Sequence, residues 1–174
     1  MEIIETDRLY FREISESDDS NIFELDADPL VHRFLGNKPI HNIMESRKVI
    51  QFIRKQYAEN GIGRLAIIEK ETNEFVGWGG FKLITTEVNG HQNYFDLGYR
   101  FIRRYWGRGY ATESSKAAIE YGFCNLKISE IFAIADTRNI QSKKVLEKCR
   151  FECKEIFDYE EIPHYWFELS KEMK

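Results

Sequence analysis

Hydrophobic and polar positions along the chain change their period several times, and the changes divide it into elements. Residues 7–14 read as a short strand. Ser15 with Asp18 three residues later resembles a capping box and opens a helix over about 17–27, with Pro29 just beyond its end. Asn42 with Glu45 repeats that signature, and Ile43, Val49, Ile50, Ile53 and Tyr57 then recur at near-helical spacing up to the stop at Asn60-Gly61. Residues 64–70, 74–85 and 93–102 read as three strands of an antiparallel meander, the last joined through an Asn89-Gly90 turn signal.

From Gly109 the period becomes helical again. Ala111, Ser115, Ala118, Gly122 and Leu126 put small residues on one stripe, which lets the helix lie close against a sheet. Residues 130–136 read as a buried strand, residues 139–149 as a short helix opened by Asn139, and residues 151–160 and 164–173 as a closing strand pair. The order is βααβββαβαββ. It predicts one α/β (α+β) domain over residues 1–174, with about four helices on the faces of a mixed, mostly antiparallel sheet of about seven strands. Only the step from 93 to 136 has the form of a β-α-β crossover.

Composition narrows the function classes. The 174 residues are 43% apolar and suffice for one core; 29 acids against 25 bases give a formal charge of −4 without long blocks of one sign. Nothing there marks a nucleic-acid binder. Cys124, Cys149 and Cys153 are odd in number, lack C-x-x-C spacing and fall in apolar surroundings, so we expect reduced, buried thiols in a cytoplasmic protein. His32, His41, His91 and His164 stand far apart, so no metal site is expected, and neither a signal peptide nor a membrane-spanning run is visible.

The chemistry concentrates in "RRYWGRGYATES", residues 103–114. Gly107 and Gly109 can take backbone angles that make successive N–H groups converge at the start of the following helix, where the dipole is positive. That arrangement suits an anion, most simply phosphate; the alternative is a plain β-to-α turn. Arg103, Arg104, Arg108 and Lys143 supply positive charge for a polyanion or are solvated surface residues. A Walker loop is excluded because no Gly-Lys-Ser/Thr follows. A dinucleotide fingerprint fits poorly because Thr112 stands where Gly or Ala belongs, although Asp136 ends the next strand.

Arg104 through Gly109 resembles the Q/R-x-x-G-x-G/A pyrophosphate loop of the GNAT superfamily of N-acetyltransferases. "YWGRGYATE" is similar to the branch that contains ribosomal-protein N-terminal acetyltransferases, as are "TDRLYFREI", "DPLVHRFLG" and "DTRNIQSKKVLEKCRF" in that order along the chain. The resemblance implies acetyl-CoA in a V-shaped opening between the splayed parallel strands 93–102 and 130–136. Its pyrophosphate would lie on the amides of Arg104, Trp106, Gly107, Arg108 and Gly109, with Tyr110, Ala111 and Thr112 opening the helix behind, and its pantetheine arm along Phe101, Ile102 and Arg103. Trp106 either packs over the cofactor or, like Trp78 and Trp166, belongs to the core.

An acetyl transfer to a primary amine needs a base, a polarised thioester and a proton for the thiolate. Strand alternation puts Asp96 with Gly98 and Arg100 on one face; Asp96 is the candidate base or a solvated surface acid. The tyrosine that many family members use as the acid is Leu146 here, which leaves Ser142 as the substitute, while Asn139 anchors the pantetheine or the loop; both are also ordinary capping residues. Arg150 replaces the glycine that commonly ends this helix, and Glu113 reads as a dipole-complementing structural acid. Asp26, Asp28 and Glu87 are candidates for attracting a cationic acceptor. The expected partners are acetyl-CoA and an amine, from a small molecule or a protein N-terminus, in a monomer or homodimer. The other classes are a noncatalytic acyl-CoA-binding module and a nucleotide-dependent oxidoreductase using Asp136.

Overall fold

The apolar runs assemble into one seven-stranded sheet, and the computed structural model describes residues 4–171 of the chain. The strands are β1 (Leu9–Glu13), β2 (Leu65–Glu69), β3 (Phe75–Ile84), β4 (Tyr94–Phe101), β5 (Glu130–Asp136), β6 (Glu152–Tyr159) and β7 (Ile162–Ser170), and their spatial order is β1-β2-β3-β4-β5-β7-β6. Only β4 and β5 run parallel; every other neighbouring pair is antiparallel. The last strand starts two residues earlier than expected. The Glu160-Glu161 turn, with φ of 50° and 65°, closes so tightly that Ile162 and Pro163 already pair with Tyr159 and Asp158.

Among the described residues five α-helices flank the sheet: α1 (Asp19–Ala27), α2 (Pro29–His32), α3 (Ile43–Asn60), α4 (Tyr110–Cys124) and α5 (Ile140–Lys148). The additional one is α2, a single turn that the sequence reading took as chain beyond a helix end. Pro29 occupies its first position, where the missing N–H costs nothing, and the Asp28 carboxylate accepts from the Leu30 amide at 2.9 Å. The signals around α3 hold as expected: Asn42 Oδ1 accepts from the Glu45 amide and Gly61 ends the helix at φ 67°. Ser15 and Asp18 open a short 3₁₀ turn before α1, where Asp18 accepts from the Ser15 amide at 2.8 Å and from Arg12 at 2.7 Å.

The two faces differ in character. α4 lies across β3 and β4 and touches α5, with Phe81, Leu97, Ala118, Ile131, Leu146 and Phe167 buried beneath them. α1 packs on α3 over the opposite face, where Arg100 of β4 reaches Asp26 of α1 and the Lys82 ammonium lies 5.3 Å from the Phe52 ring of α3. Arg150 adopts φ 67°, so the left-handed stop of α5 is made by a residue with a side chain, as its sequence position implied. The cysteine expectation needs correction. Cys149 is buried, but Cys124 and Cys153 are exposed, since one ends α4 at the surface and the other lies on edge strand β6.

Gly122 is where the small stripe on α4 matters most. A Cβ there would come within 2.7 Å of the Phe81 ring, which is itself buried. Gly122→Ala should therefore lower stability by about 1 to 3 kcal/mol, outweighing the gain of about 1 kcal/mol in helix propensity. The shift in urea midpoint measures it.

Candidate active site

β4 and β5 are joined at only two positions, Phe95 with Ile131 and Asp96 with Phe132, and past Asp96 they part. This is the splay that the sequence resemblance implied. The elements that follow each strand, the 103–109 loop with α4 and then α5, begin on either side of the opening.

The loop starts with a 3₁₀ turn over Arg103–Tyr105, held by Tyr105 N–H to the Ile102 carbonyl at 2.9 Å and Trp106 N–H to the Arg103 carbonyl at 3.0 Å. Gly107 and Gly109 then adopt φ of 76° and 84°, and neither is crowded by backbone, so the left-handed conformation alone selects glycine. Gly109 caps α4 without any side-chain acceptor, and no described residue accepts from the amides of residues 107–112. Those N–H groups, at the positive end of a 15-residue helix, form an anion cradle. Trp106 is half-exposed and donates its ring N–H to the Phe101 carbonyl at 2.8 Å, while the Ile102 amide bonds Val76. Trp106 therefore ties the loop to the end of β4 and lies outside the core, whereas Trp166 is fully buried.

The cations around the loop are already partnered. Arg103 Nε bonds Asp28 at 2.8 Å, Arg104 pairs with Glu24 of α1, Arg108 lies 3.6 Å from Glu69, and Lys143 lies 3.9 Å from Glu147. Arg104 and Arg108 also sit over the Tyr105 ring, at 4.8 and 5.1 Å from its centroid. All four stay partly exposed, so these pairs are weak and can exchange a carboxylate for a ligand phosphate. Glu113 anchors β1 to the first turn of α4, accepting from Thr6 and from Arg8, which confirms its structural reading.

At α5, Asn139 Oδ1 accepts from the Ser142 amide at 3.1 Å, so Asn139 is spent as a cap. Ser142 Oγ lies 3.0 Å from the hydroxyl of Tyr99, and burial pushes the Tyr99 hydroxyl pKa up, against the hydrogen bond from Ser142. Leu146 is buried in the core. Where the family's usual tyrosine would stand, this chain packs a leucine, and a phenol from β4 reaches the same helix instead. Tyr99 was missed because alternation alone assigns it to the core face.

Asp96 is the other centre. It forms an ion pair with Arg64, whose guanidinium also donates to the Asp96 carbonyl at 2.6 Å and to the Gly80 carbonyl. The guanidinium lies on Gly98, where a Cβ would come within 2.6 Å of it. Burial raises the Asp96 pKa and the Arg64 ion pair only partly opposes that rise. Asp96 is thus neither a free base nor a solvated acid. Its carboxylate keeps one oxygen outside the pair, and its side chain is 16% exposed.

Arg64 had no signal in the sequence beyond a charge entering an apolar strand. Trp78 and Arg100 continue the same face. The Arg100 guanidinium stacks 4.9 Å from the Trp78 ring and bonds Asp26 at 2.5 Å, and His32 Nε2 lies 3.5 Å from the same Asp26 oxygen. The suggestion that Asp26 and Asp28 attract a cationic acceptor is therefore corrected. Asp26 is fully buried and neutralised by Arg100, and Asp28 caps α2 and holds Arg103. Burial would raise the Asp26 pKa, but His32 and Arg100 outweigh it and hold it low. Its contribution to stability is present above the usual carboxylate pKa and lost as pH falls through the depressed value. Asp136, the residue an oxidoreductase would need for a ribose, is buried and held by Arg138 at 2.6 Å.

A sheet splayed where β4 and β5 run parallel, with an unpaired amide cradle at the following helix start, is the arrangement that the resemblance to the GNAT superfamily implied. The chain belongs to the acetyltransferase (GNAT) domain family, which matches residues 8–152. It is 33% identical over 177 residues to a Bacillus licheniformis protein named uncharacterized N-acetyltransferase p20, covering 98% of this chain and 97% of that one. Among solved structures, a GNAT-family acetyltransferase from Bacillus anthracis superposes with a TM-score of 0.81 at 21% identity, over 97% of this chain and 98% of that one. Spermidine N-acetyltransferase from Vibrio cholerae, solved with CoA and spermine, gives 0.75 at 15% identity, over 95% and 96%. Among the described residues no helix is long and apolar enough to cross a membrane.

The Arg64–Asp96 pair yields a direct prediction. Arg64→Met leaves a buried carboxylate unpaired and should lower stability by about 3 kcal/mol, while Arg64→Met with Asp96→Asn should recover part of it. Denaturant titration of the three proteins checks the order.

Proposed function

We propose that the protein transfers an acetyl group from acetyl-CoA to a primary amine, of a small molecule or a protein N-terminus, by direct attack in a ternary complex. The observation that carries this reading is the joint placement of three features at one opening. These are the amide cradle of residues 107–112, the two-rung end of the β4–β5 pairing, and the Asp96 carboxylate at that end.

The pyrophosphate of the co-substrate fits the cradle, with Arg103, Arg104 and Arg108 able to trade their exposed carboxylate partners for it. The pantetheine arm would follow the open edge of β4. The Phe101 carbonyl and Ile102 amide are already engaged, so its amides would bond other main-chain groups of that strand. Asp96 accepts a proton from the attacking amine, the N–C bond forms as the C–S bond breaks, and the leaving thiolate takes a proton from Ser142, whose hydroxyl is in contact with Tyr99. Leu146 in the tyrosine position favours a binding module as the second reading; turnover of any amine decides between them.

Isothermal titration is the first test. Acetyl-CoA and CoA should bind with micromolar affinity and NAD should not; no acetyl-CoA binding overturns the reading. Asp96→Asn should lower kcat/KM on the order of 10²-fold. With wild type, activity should rise with pH as Asp96 ionises, through a limb displaced upward from the usual carboxylate range because burial raises its pKa. Asp96→Asn should abolish that limb. Ser142→Ala should lower kcat more than it changes KM for acetyl-CoA; unchanged turnover removes Ser142 from the chemistry.

A further inference from the structure

The face of β3 and β4 that carries Asp96 has more donors than acceptors. The register pairs Trp78 with Arg100, Gly80 with Gly98 and Lys82 with Asp96, so these residues share one side of the sheet. Directly opposed residues in an antiparallel pair have Cβ atoms about 5 Å apart. Lys82 nevertheless makes no ion pair with Asp96, whose carboxylate pairs with Arg64 through one of its oxygens.

Lys82 is half-buried, and among the described residues its ammonium has no hydrogen bond or carboxylate partner. The exposed ring of Phe52 on α3 lies 5.3 Å from it. Deeper on the same face, Arg100 Nε and Trp78 Nε1 are buried without an acceptor. Around the proposed base, Arg64 and Lys82 against Asp96 leave one positive charge in excess. Tyr94 and Tyr159, the other titratable groups near it, are neutral phenols whose pKa burial raises.

A polycationic acceptor would meet that excess with like charge. An acceptor that carries its own anion a few bonds from its amine would satisfy it. We infer that the acceptor is a small amine bearing a carboxylate, with its amine at Asp96, its carboxylate on Lys82 and apolar substituents against Phe52. This rests on the acetyltransferase reading and narrows its acceptor. An amino acid has this chemistry, an amine and a carboxylate only a few bonds apart.

The test measures thiol release from acetyl-CoA with L-phenylalanine, L-methionine and β-alanine, each beside its carboxamide, and with spermidine. Wild type should favour at least one carboxylate over its amide by about 10- to 100-fold in kcat/KM, as a charge-assisted hydrogen bond provides. Spermidine should be the poorer acceptor. Lys82→Met, which keeps the stem on Phe52, should erase the preference through KM and leave acetyl-CoA binding unchanged; the readout is the carboxylate-to-carboxamide ratio within each protein, because the Lys82 charge also lowers the Asp96 pKa and acts on both acceptors alike.

Equal or better use of the amides or of spermidine by wild type overturns the inference. So does a preference that survives in Lys82→Met, or a failure of every carboxylated amine while acetyl-CoA still binds. Loss of acetyl-CoA binding by wild type would instead bring down the acetyltransferase reading itself.

Discussion

The contact on which the functional face depends is the guanidinium of Arg64 lying flat on Gly98. It joins three strands at once, entering from the start of β2, accepting nothing, and donating to the β3 carbonyl of Gly80 and to both the carbonyl and the carboxylate of Asp96 on β4. Only glycine leaves room for it. A buried pair of this kind adds little net stability, because each charge loses its hydration; its effect is to determine where the carboxylate points and how readily it holds a proton. The orientation of Asp96 and the unmatched charge of Lys82 both follow from that one placement.

The cradle side of the opening works on a different principle. There the backbone is prearranged and the side chains are provisional. Gly107 and Gly109 hold left-handed angles that leave the amides of residues 107–112 unpaired, while Arg103, Arg104 and Arg108 rest on Asp28, Glu24 and Glu69. Surface pairs of this sort contribute at most about 1 kcal/mol each, so they keep the arginines near the loop without locking them. They also link the loop to α1 and to the start of α2.

The fold was legible because its signals are local. Asn42, Gly61, Asn139 and the alternation along β3 and β4 each express a backbone requirement within a few residues, and all seven strands stand close to where the period changes put them. The single turn of α2 was not visible, since Asp28-Pro29 signals a turn and a one-turn helix alike. The glycine motif gave the cradle, and alternation gave the face of Asp96. What could not be read is every pairing between distant segments: Arg64 with Asp96, Arg100 with Asp26, Tyr99 with Ser142. Charge patterning along the chain shows which acids and bases exist. Which of them neutralise one another is decided only by strand register and helix docking.

The two-rung junction between β4 and β5 has a mechanical meaning as well. It divides the sheet into a four-stranded half, β1 to β4, and a three-stranded half, β5 to β7, stitched at Phe95–Ile131 and Asp96–Phe132. Strands that lack a neighbour along most of their length leave main-chain groups that another extended chain can bond. A pantetheine arm seated there would act as a splint, completing the missing rungs on both sides. The native state would then be stiffened along its weakest seam by the bound molecule, and the free energy of that binding would be added to the free energy of folding.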